Sequence, residues 1–275
     1  MRTHRLAPLA LFGLLAAAFW LPGGSAAGQG GLLPDLRTVV PTQLQLVKVD
    51  NREMLRFSNG VANTGAGPLA VRPDPPVSEA VSTTTAVQEL RDSGARYRCG
   101  EQPKQVTDCY NVVEDHVAGT FEFHPAHNHW HIGDVAQFEV HKGKPDGPLV
   151  GGISVKTTFC LIDWYKLDDN APNKERVFFE CATSFQGVST GWVDQYHQSL
   201  EGQSVDLTGV PEAGDYFLVS TSNPARRFVE SDYENNSAWV KFGLERASNG
   251  NRKIAVKEHS PCDSPSMCGE QTPNR

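Results

Sequence analysis

Positive charge is in short supply along this chain. Its 275 residues carry 25 lysines and arginines against 32 aspartates and glutamates, a formal net charge of −7 at pH 7. A chain so poor in cations lacks the basic footprint that phosphate backbones demand, so nucleic acid is not an expected partner. A cationic partner, such as lysine side chains or polyamines, suits it better. Long apolar runs are also scarce. The one nearly unbroken run, Leu6–Leu21, is short for a bilayer span of roughly 20 residues. Arg2 and Arg5 precede it, Pro22-Gly23-Gly24 breaks it, and Ser25-Ala26-Ala27 supplies a small-x-small cleavage site. Residues 1–27 are therefore expected to be a signal peptide cut near Ala27. Its loss removes two arginines and no acid, making the remainder more acidic. No later stretch is apolar enough to cross a membrane. The expectation is a secreted protein with no stable membrane insertion after cleavage.

Paired cysteines at C-x-x-C spacing are absent, which argues against a thiolate zinc site or a dithiol redox centre. The six cysteines form an even set in an exported chain, so disulfides are expected. Proximity suggests Cys99–Cys109, Cys160–Cys181 and Cys262–Cys268, one of fifteen connectivities open to six cysteines. Sustained amphipathic helical periodicity is missing beyond the leader. What remains is strand-like and rich in turns. Gln45–Val49 and Met54–Val61 alternate polar and apolar residues, and Asn63-Thr64-Gly65-Ala66-Gly67-Pro68 supplies a turn. Thr120–Phe123, Val135–Val140, Ile153–Leu161 and Tyr216–Thr221 are further strand candidates. Gly214-Asp215-Tyr216 resembles a tyrosine corner entering a late strand of an immunoglobulin-like sandwich. Ser231–Asn236 then reads as a loop and Ser237–Phe242 as the returning strand. The fold expected is all-β: an immunoglobulin-like sandwich core with long functional loops, Asp163–Arg176 and Gln186–Ser204 above all, and few short helices. The chain after Arg246 is expected to be poorly ordered apart from a short Cys262–Cys268 loop.

His124-Pro125-Ala126-His127-Asn128-His129-Trp130-His131 carries the most chemistry, with four of the nine histidines in eight residues. On an extended strand, residues two apart share a face, so His127, His129 and His131 are expected to point the same way, about 6–7 Å apart along the strand. Three imidazoles without a thiolate favour copper(II) or zinc, and copper has the higher intrinsic affinity. A solvent-facing strip of histidines is the plain alternative for such a segment. His124 is open between a partner behind the ligands, a packing residue and a further ligand.

At this segment the chain resembles the lysyl oxidase family, whose copper motif is an aromatic-rich strand leading into His-x-His-x-His. Further blocks follow in family order. Leu33-Pro34-Asp35-Leu36 is similar to the domain start, and Leu55-Arg56-Phe57 with Val61-x-Asn63-x-Gly65 to the next strand and turn. Lys156-x-x-Phe159-Cys160-Leu161-x-Asp163 is similar to the cofactor-lysine segment. Gly187-x-Ser189-x-Gly191-x-x-Asp194-x-Tyr196 is similar to the cofactor-tyrosine segment, and Glu230-Ser231-Asp232-Tyr233-x-Asn235-Asn236 to the closing loop. Ala126 and Trp192 stand where the family often has cysteine. The resemblance implies copper at His127, His129 and His131, and a lysine tyrosylquinone formed from Lys156 and Tyr196. It implies a catalytic domain at 28–246, followed by a tail at 247–275.

Asp35, Glu230, Asp232, Asn235 and Asn236 are hard oxygen donors, and Leu36 can add a main-chain carbonyl. The density suits calcium, and the resemblance implies the same assembly. A polar turn bonded to its own backbone is the alternative. The reaction implied is oxidation of a primary amine, free or in a peptidyl lysine, by dioxygen and water to an aldehyde, ammonia and hydrogen peroxide. Asp134, Asp194 and His197 are candidates for its general base. The competing readings are a secreted copper- or calcium-binding immunoglobulin-like module without turnover, and a zinc hydrolase, which lacks an H-E-x-x-H arrangement.

Overall fold

The computed structural model describes residues 30–80, 82–152, 158–181 and 185–269. The expected signal peptide lies outside the described residues, as does most of the Ile153–Leu161 candidate. Among the described residues the strands are β1 (Leu36–Val49), β2 (Arg52–Asn63), β3 (Leu69–Asp74), β4 (Thr83–Arg91), β5 (Val112–His124), β6 (His129–Gly133), β7 (Ala136–Lys142) and β8 (Thr158–Phe159). They continue as β9 (Tyr165–Lys166), β10 (Gln186–Val188), β11 (Trp192–Tyr196), β12 (Ser204–Asp206), β13 (Tyr216–Ser222), β14 (Ser237–Arg246) and β15 (Arg252–His259). A single 3₁₀ turn at Val77–Glu79 is the helical content of these residues. The all-β expectation is met, and no described helix is long and apolar enough to cross a membrane.

The strands form three sheets with antiparallel pairing. One runs β1-β2-β11-β9 with β12 also on β2, the second β10-β3-β4-β5-β6-β8, and the third β15-β14-β13-β7. Alternation explains β7: Ala136, Phe138 and Val140 are buried, while Gln137, Glu139 and His141 are half-buried, the pattern of a strand with one face on a core. The core is aromatic at its centre, with Phe57, Phe121, Phe138, Phe159, Tyr216 and Phe242 fully buried. Each such ring removed from water contributes about 1.5–3 kcal/mol. Phe57 meets Phe138 edge-on at 4.8 Å, Phe138 meets Phe159 at 6.4 Å, and Phe159 meets Tyr196 at 4.7 Å. The run of rings leads from the core to Tyr196 and fixes that side chain against it. The Tyr216 hydroxyl donates to Pro211 O at 2.5 Å, the upstream backbone bond that a tyrosine corner makes.

Asn63 ends β2 and joins its own turn to two distant segments. Its Oδ1 accepts from Asp35 N and Gly65 N at 3.1 and 3.0 Å, and its Nδ2 donates to Gly67 O and Val188 O, each at 2.9 Å. Gly65 is required in that turn, because a Cβ there would lie 2.4 Å from Asp35 N.

Three expectations need correction. The stretch Gln186–Ser204 is not a loop: β11 lies inside it, buried along its whole length and paired with β2 and β9. Polar Asp194 and Gln195 hide it from a hydrophobicity pattern. β1 begins at Leu36 rather than Gln45, carried through register shifts near Val39 and Thr42. The tail after Arg246 is ordered over residues 247–269, since β15 pairs with β14 and Val40 N donates to Met267 O at 3.0 Å. Arg37 also bonds Asp263 at 2.7 Å. The disulfides Cys99–Cys109, Cys160–Cys181 and Cys262–Cys268 match the pairing expected from proximity.

Candidate metal centre

The histidines do not share one strand. His124 closes β5, His127 occupies the turn at 125–128, and only His129 and His131 lie on β6. Asn128, at φ 54°, reverses the chain between them, a conformation that asparagine tolerates better than most residues. The turn swings His127 back over the strand pair. One nitrogen each from His127, His129 and His131 then lies within 4.8 Å of the others. Turn geometry, not strand alternation, assembles the triad.

His129 Nε2 and His131 Nε2 are 2.8 Å apart. Two nitrogens that close can share one ion at a metal–nitrogen distance of about 2.0 Å. His131 is buried and its Nδ1 lies 3.2 Å from Thr158 Oγ1. Such a bond fixes the ring and leaves Nε2 for the ion. His127 is the exposed member, with Nε2 3.9 Å from Glu201. His124 is outside the triad, but its ring stacks on His127 at 4.3 Å and lies 4.9 Å from His131. It acts as a wall for the turn residue. The donor set fits copper: three imidazoles, no sulfur, and one ring oriented by a hydroxyl.

A cavity of about 120 Å³ opens beside the triad, lined by the three histidines with Cys160, Ile162, Cys181, Asp194, Tyr196 and Leu200. Trp192, Asp194 and Tyr196 share one face of β11, which brings the carboxylate and the phenol to this cavity together. Tyr196 Oη is 2.5 Å from Cys160 O and 2.6 Å from Asp194 Oδ2. A phenol has one proton and a carbonyl only accepts, so that proton serves one contact at a time unless Asp194 supplies another. Asp194 can therefore exchange a proton with the ring oxygen. The other base candidates are not among the residues lining the cavity: Asp134 pairs with Arg227 at 3.4 Å on the surface, and His197 Nδ1 is 2.8 Å from Ser199 Oγ. Lys156 lies outside the described residues.

The lysine and tyrosine segments meet through Asp163. It accepts from Val177 N and Phe178 N at 2.8 and 3.1 Å, and from the amide and hydroxyl of Ser189 at 2.7 and 2.8 Å. Burial pushes its carboxyl pKa up despite these donors. Sequence reading missed the cavity roles of Ile162 and Leu200, whose residue types carry no chemical signal, and read Cys160 and Cys181 only as a disulfide. It also missed Thr158, a hydroxyl legible only once β8 is seen beside β6.

At the second candidate site, Glu230 accepts from Leu36 N at 2.8 Å, Asn223 Nδ2 at 2.6 Å and Asn236 Nδ2 at 2.8 Å. Burial raises its pKa, opposed by these donors. Asp35 accepts from Asn235 Nδ2 at 2.9 Å and from the Thr64 hydroxyl at 2.5 Å. The domain start and the loop before β14 are thus joined. Leu36 takes part through its amide, and exposed Asp232 caps Glu234 N at 2.8 Å. The side-chain oxygens of Asn235 and Asn236 are buried without a hydrogen-bond partner.

The family model described as lysyl oxidase matches residues 90–250. Among curated proteins, lysyl oxidase homolog 2 of Homo sapiens is 34% identical over 119 residues, covering 42% of this chain and 14% of that protein. The same homolog of Bos taurus is 33% identical over 119 residues, and that of Gallus gallus 32%. The match to these relatives spans only 14% of their length.

Proposed function

Because this chain belongs to the lysyl oxidase family, we propose that it is a secreted, copper-dependent amine oxidase acting on primary amines, free or in peptidyl lysine. The overall reaction turns R–CH₂–NH₂, dioxygen and water into R–CHO, ammonia and hydrogen peroxide. His127, His129 and His131 hold the copper, and Tyr196 with Lys156 furnishes the lysine tyrosylquinone. When formed, these groups supply dioxygen activation and a two-electron sink for amine oxidation.

The observation that carries this reading is the buried Tyr196 phenol on the wall of a cavity that three imidazoles also line. A solvated tyrosine would have no such neighbours. Asp194 Oδ2, already at the ring oxygen, is the group proposed to take the proton from the carbon beside the substrate nitrogen. Ile162 and Leu200 flank the cavity with apolar surface, excluding water around the reacting carbon. A space of about 120 Å³ suits a slender unbranched alkylamine, such as a lysine side chain, better than an aromatic one. The acidic net charge favours approach of such cations.

Calcium is proposed at Asp35, Leu36, Glu230, Asp232, Asn235 and Asn236. The unpartnered oxygens of Asn235 and Asn236, near two carboxylates, support it, since calcium takes carboxylate and amide oxygens together. Export is supported by the leader-like residues 1–27 and by the three disulfides. Copper-loaded protein supplied with n-butylamine should release hydrogen peroxide and butyraldehyde in equal amounts; copper-loaded protein that releases neither contradicts the assignment.

A further inference from the structure

Gln186 is fully buried on β10, and both ends of its amide are engaged. Nε2 donates to Trp130 O at 2.7 Å, and Oε1 accepts from Leu161 N at 3.1 Å. Each partner adjoins the site: Trp130 stands between His129 and His131, and Leu161 follows Cys160, whose carbonyl meets the Tyr196 phenol.

The register makes the arrangement informative. β6 and β8 pair Gly133 with Thr158 and Ile132 with Phe159. Continued toward the cavity, the same register would set Trp130 opposite Leu161, carbonyl to amide. That rung is not made directly. The Gln186 side chain lies between the two backbones, and Gly187 N takes Leu161 O at 3.1 Å. Trp130 N in turn donates to Cys181 O at 3.4 Å. The strands are splayed where His131 and Cys160 border the cavity. Only a neutral group with a donor and an acceptor on one carbon can bridge a carbonyl and an amide in this way.

We infer that Gln186 is a positioning residue: a wedge that holds β6 off the Cys160–Leu161 segment, keeps the cavity open and sets the spacing between the imidazoles and Tyr196. The inference rests on the quinone reading above. Formation of that quinone joins a phenol to a neutral amine, consuming two dioxygen molecules and releasing one water and one hydrogen peroxide. Two ring C–H bonds, the phenol O–H and one N–H break; one ring carbon gains the amine nitrogen and another a second oxygen, the ring's electrons passing to dioxygen. Its rate therefore depends on how the phenol stands relative to the metal strand.

The test uses the full chain loaded with copper without oxygen, then exposed to it. Gln186→Ala lets Trp130 O and Leu161 N bond directly, so the variant should fold and bind copper as the parent does. Quinone absorbance should then grow about tenfold more slowly or worse, since misplacement of about 1 Å costs that much or more. Gln186→Glu supplies a second readout. Protonated, its carboxyl donates to Trp130 O and accepts from Leu161 N; ionised, it faces the carbonyl with no proton to give. Its quinone-formation rate, relative to the parent at each pH, should approach unity as pH falls and drop as pH rises. Parent-like quinone formation in Gln186→Ala, a flat ratio in Gln186→Glu, or equal loss of copper and quinone would each overturn the assignment. A parent that binds copper and forms no quinone would instead bring down the underlying reading.

Discussion

Asp163 accepts both the amide and the hydroxyl of Ser189, at 2.7 and 2.8 Å, and so ties the end of the lysine segment to the start of the tyrosine segment. A hydrogen bond to a buried carboxylate is stronger than one between neutral groups. Ser189→Ala removes one of the four bonds and leaves the buried oxygen less satisfied. It should destabilise the protein by about 1–2 kcal/mol in urea unfolding. An unchanged midpoint would mean that the hydroxyl contributes nothing to the junction.

Copper affinity should rank its contributors. His127→Ala, His129→Ala and His131→Ala should each weaken binding by more than about a hundredfold, since loss of a partner behind a ligand alone costs 10–100-fold. Thr158→Val removes only the contact to His131 Nδ1 and should fall in that milder range. Chelator competition reads all four. Full copper retention in any two of the histidine variants would sink the three-ligand assignment.

Calcium should raise the melting temperature of the parent by closing the junction between Asp35 and the 230–236 loop. Asp232→Ala should lose that response, because one carboxylate ligand is gone while the hydrogen bonds of Glu230 persist. Equal calcium shifts in both proteins would remove Asp232 from the site.

The C-terminal segment docks through an ion pair with a defined pH signature. The Arg37 hydrogen bond holds the Asp263 carboxyl below the usual carboxylate range. A depressed folded pKa gives stability that is present above the unfolded value and is lost as pH falls through the folded one. Relative to Asp263→Asn, the parent should be more stable by about 0.5 kcal/mol at neutral pH, a typical partly exposed pair. The difference should vanish as pH drops below the ordinary aspartate range. A difference independent of pH would mean that the docking is not ionic.

Sequence alone made the chemistry more legible than the geometry. His127, His129 and His131 stand out because imidazoles are rare and here adjacent, yet their common face comes from a turn at Asn128 that strand periodicity does not report. The strands with one exposed face, such as β7, announce themselves by alternation. β11 does not, because its two faces are both buried and carry Asp194 and Gln195. Cys160 and Cys181 pair as proximity suggests, but their place on the cavity wall depends on contacts between segments far apart in the chain. Gln186 is the extreme case: a common residue type whose role exists only in the register of β6 against β8.

The covalent partnership of Lys156 and Tyr196 is tested most directly by mass spectrometry of a tryptic digest. Protein made with copper and oxygen should yield one species joining the two peptides, reactive with phenylhydrazine. Lys156→Arg should lack it while still binding copper, because a guanidinium stays protonated and cannot add to the ring; Tyr196→Phe should lack the quinone altogether. Copper-loaded, oxygen-exposed parent protein that shows only the two separate, unmodified peptides would contradict the account and leave a metal-binding module without turnover.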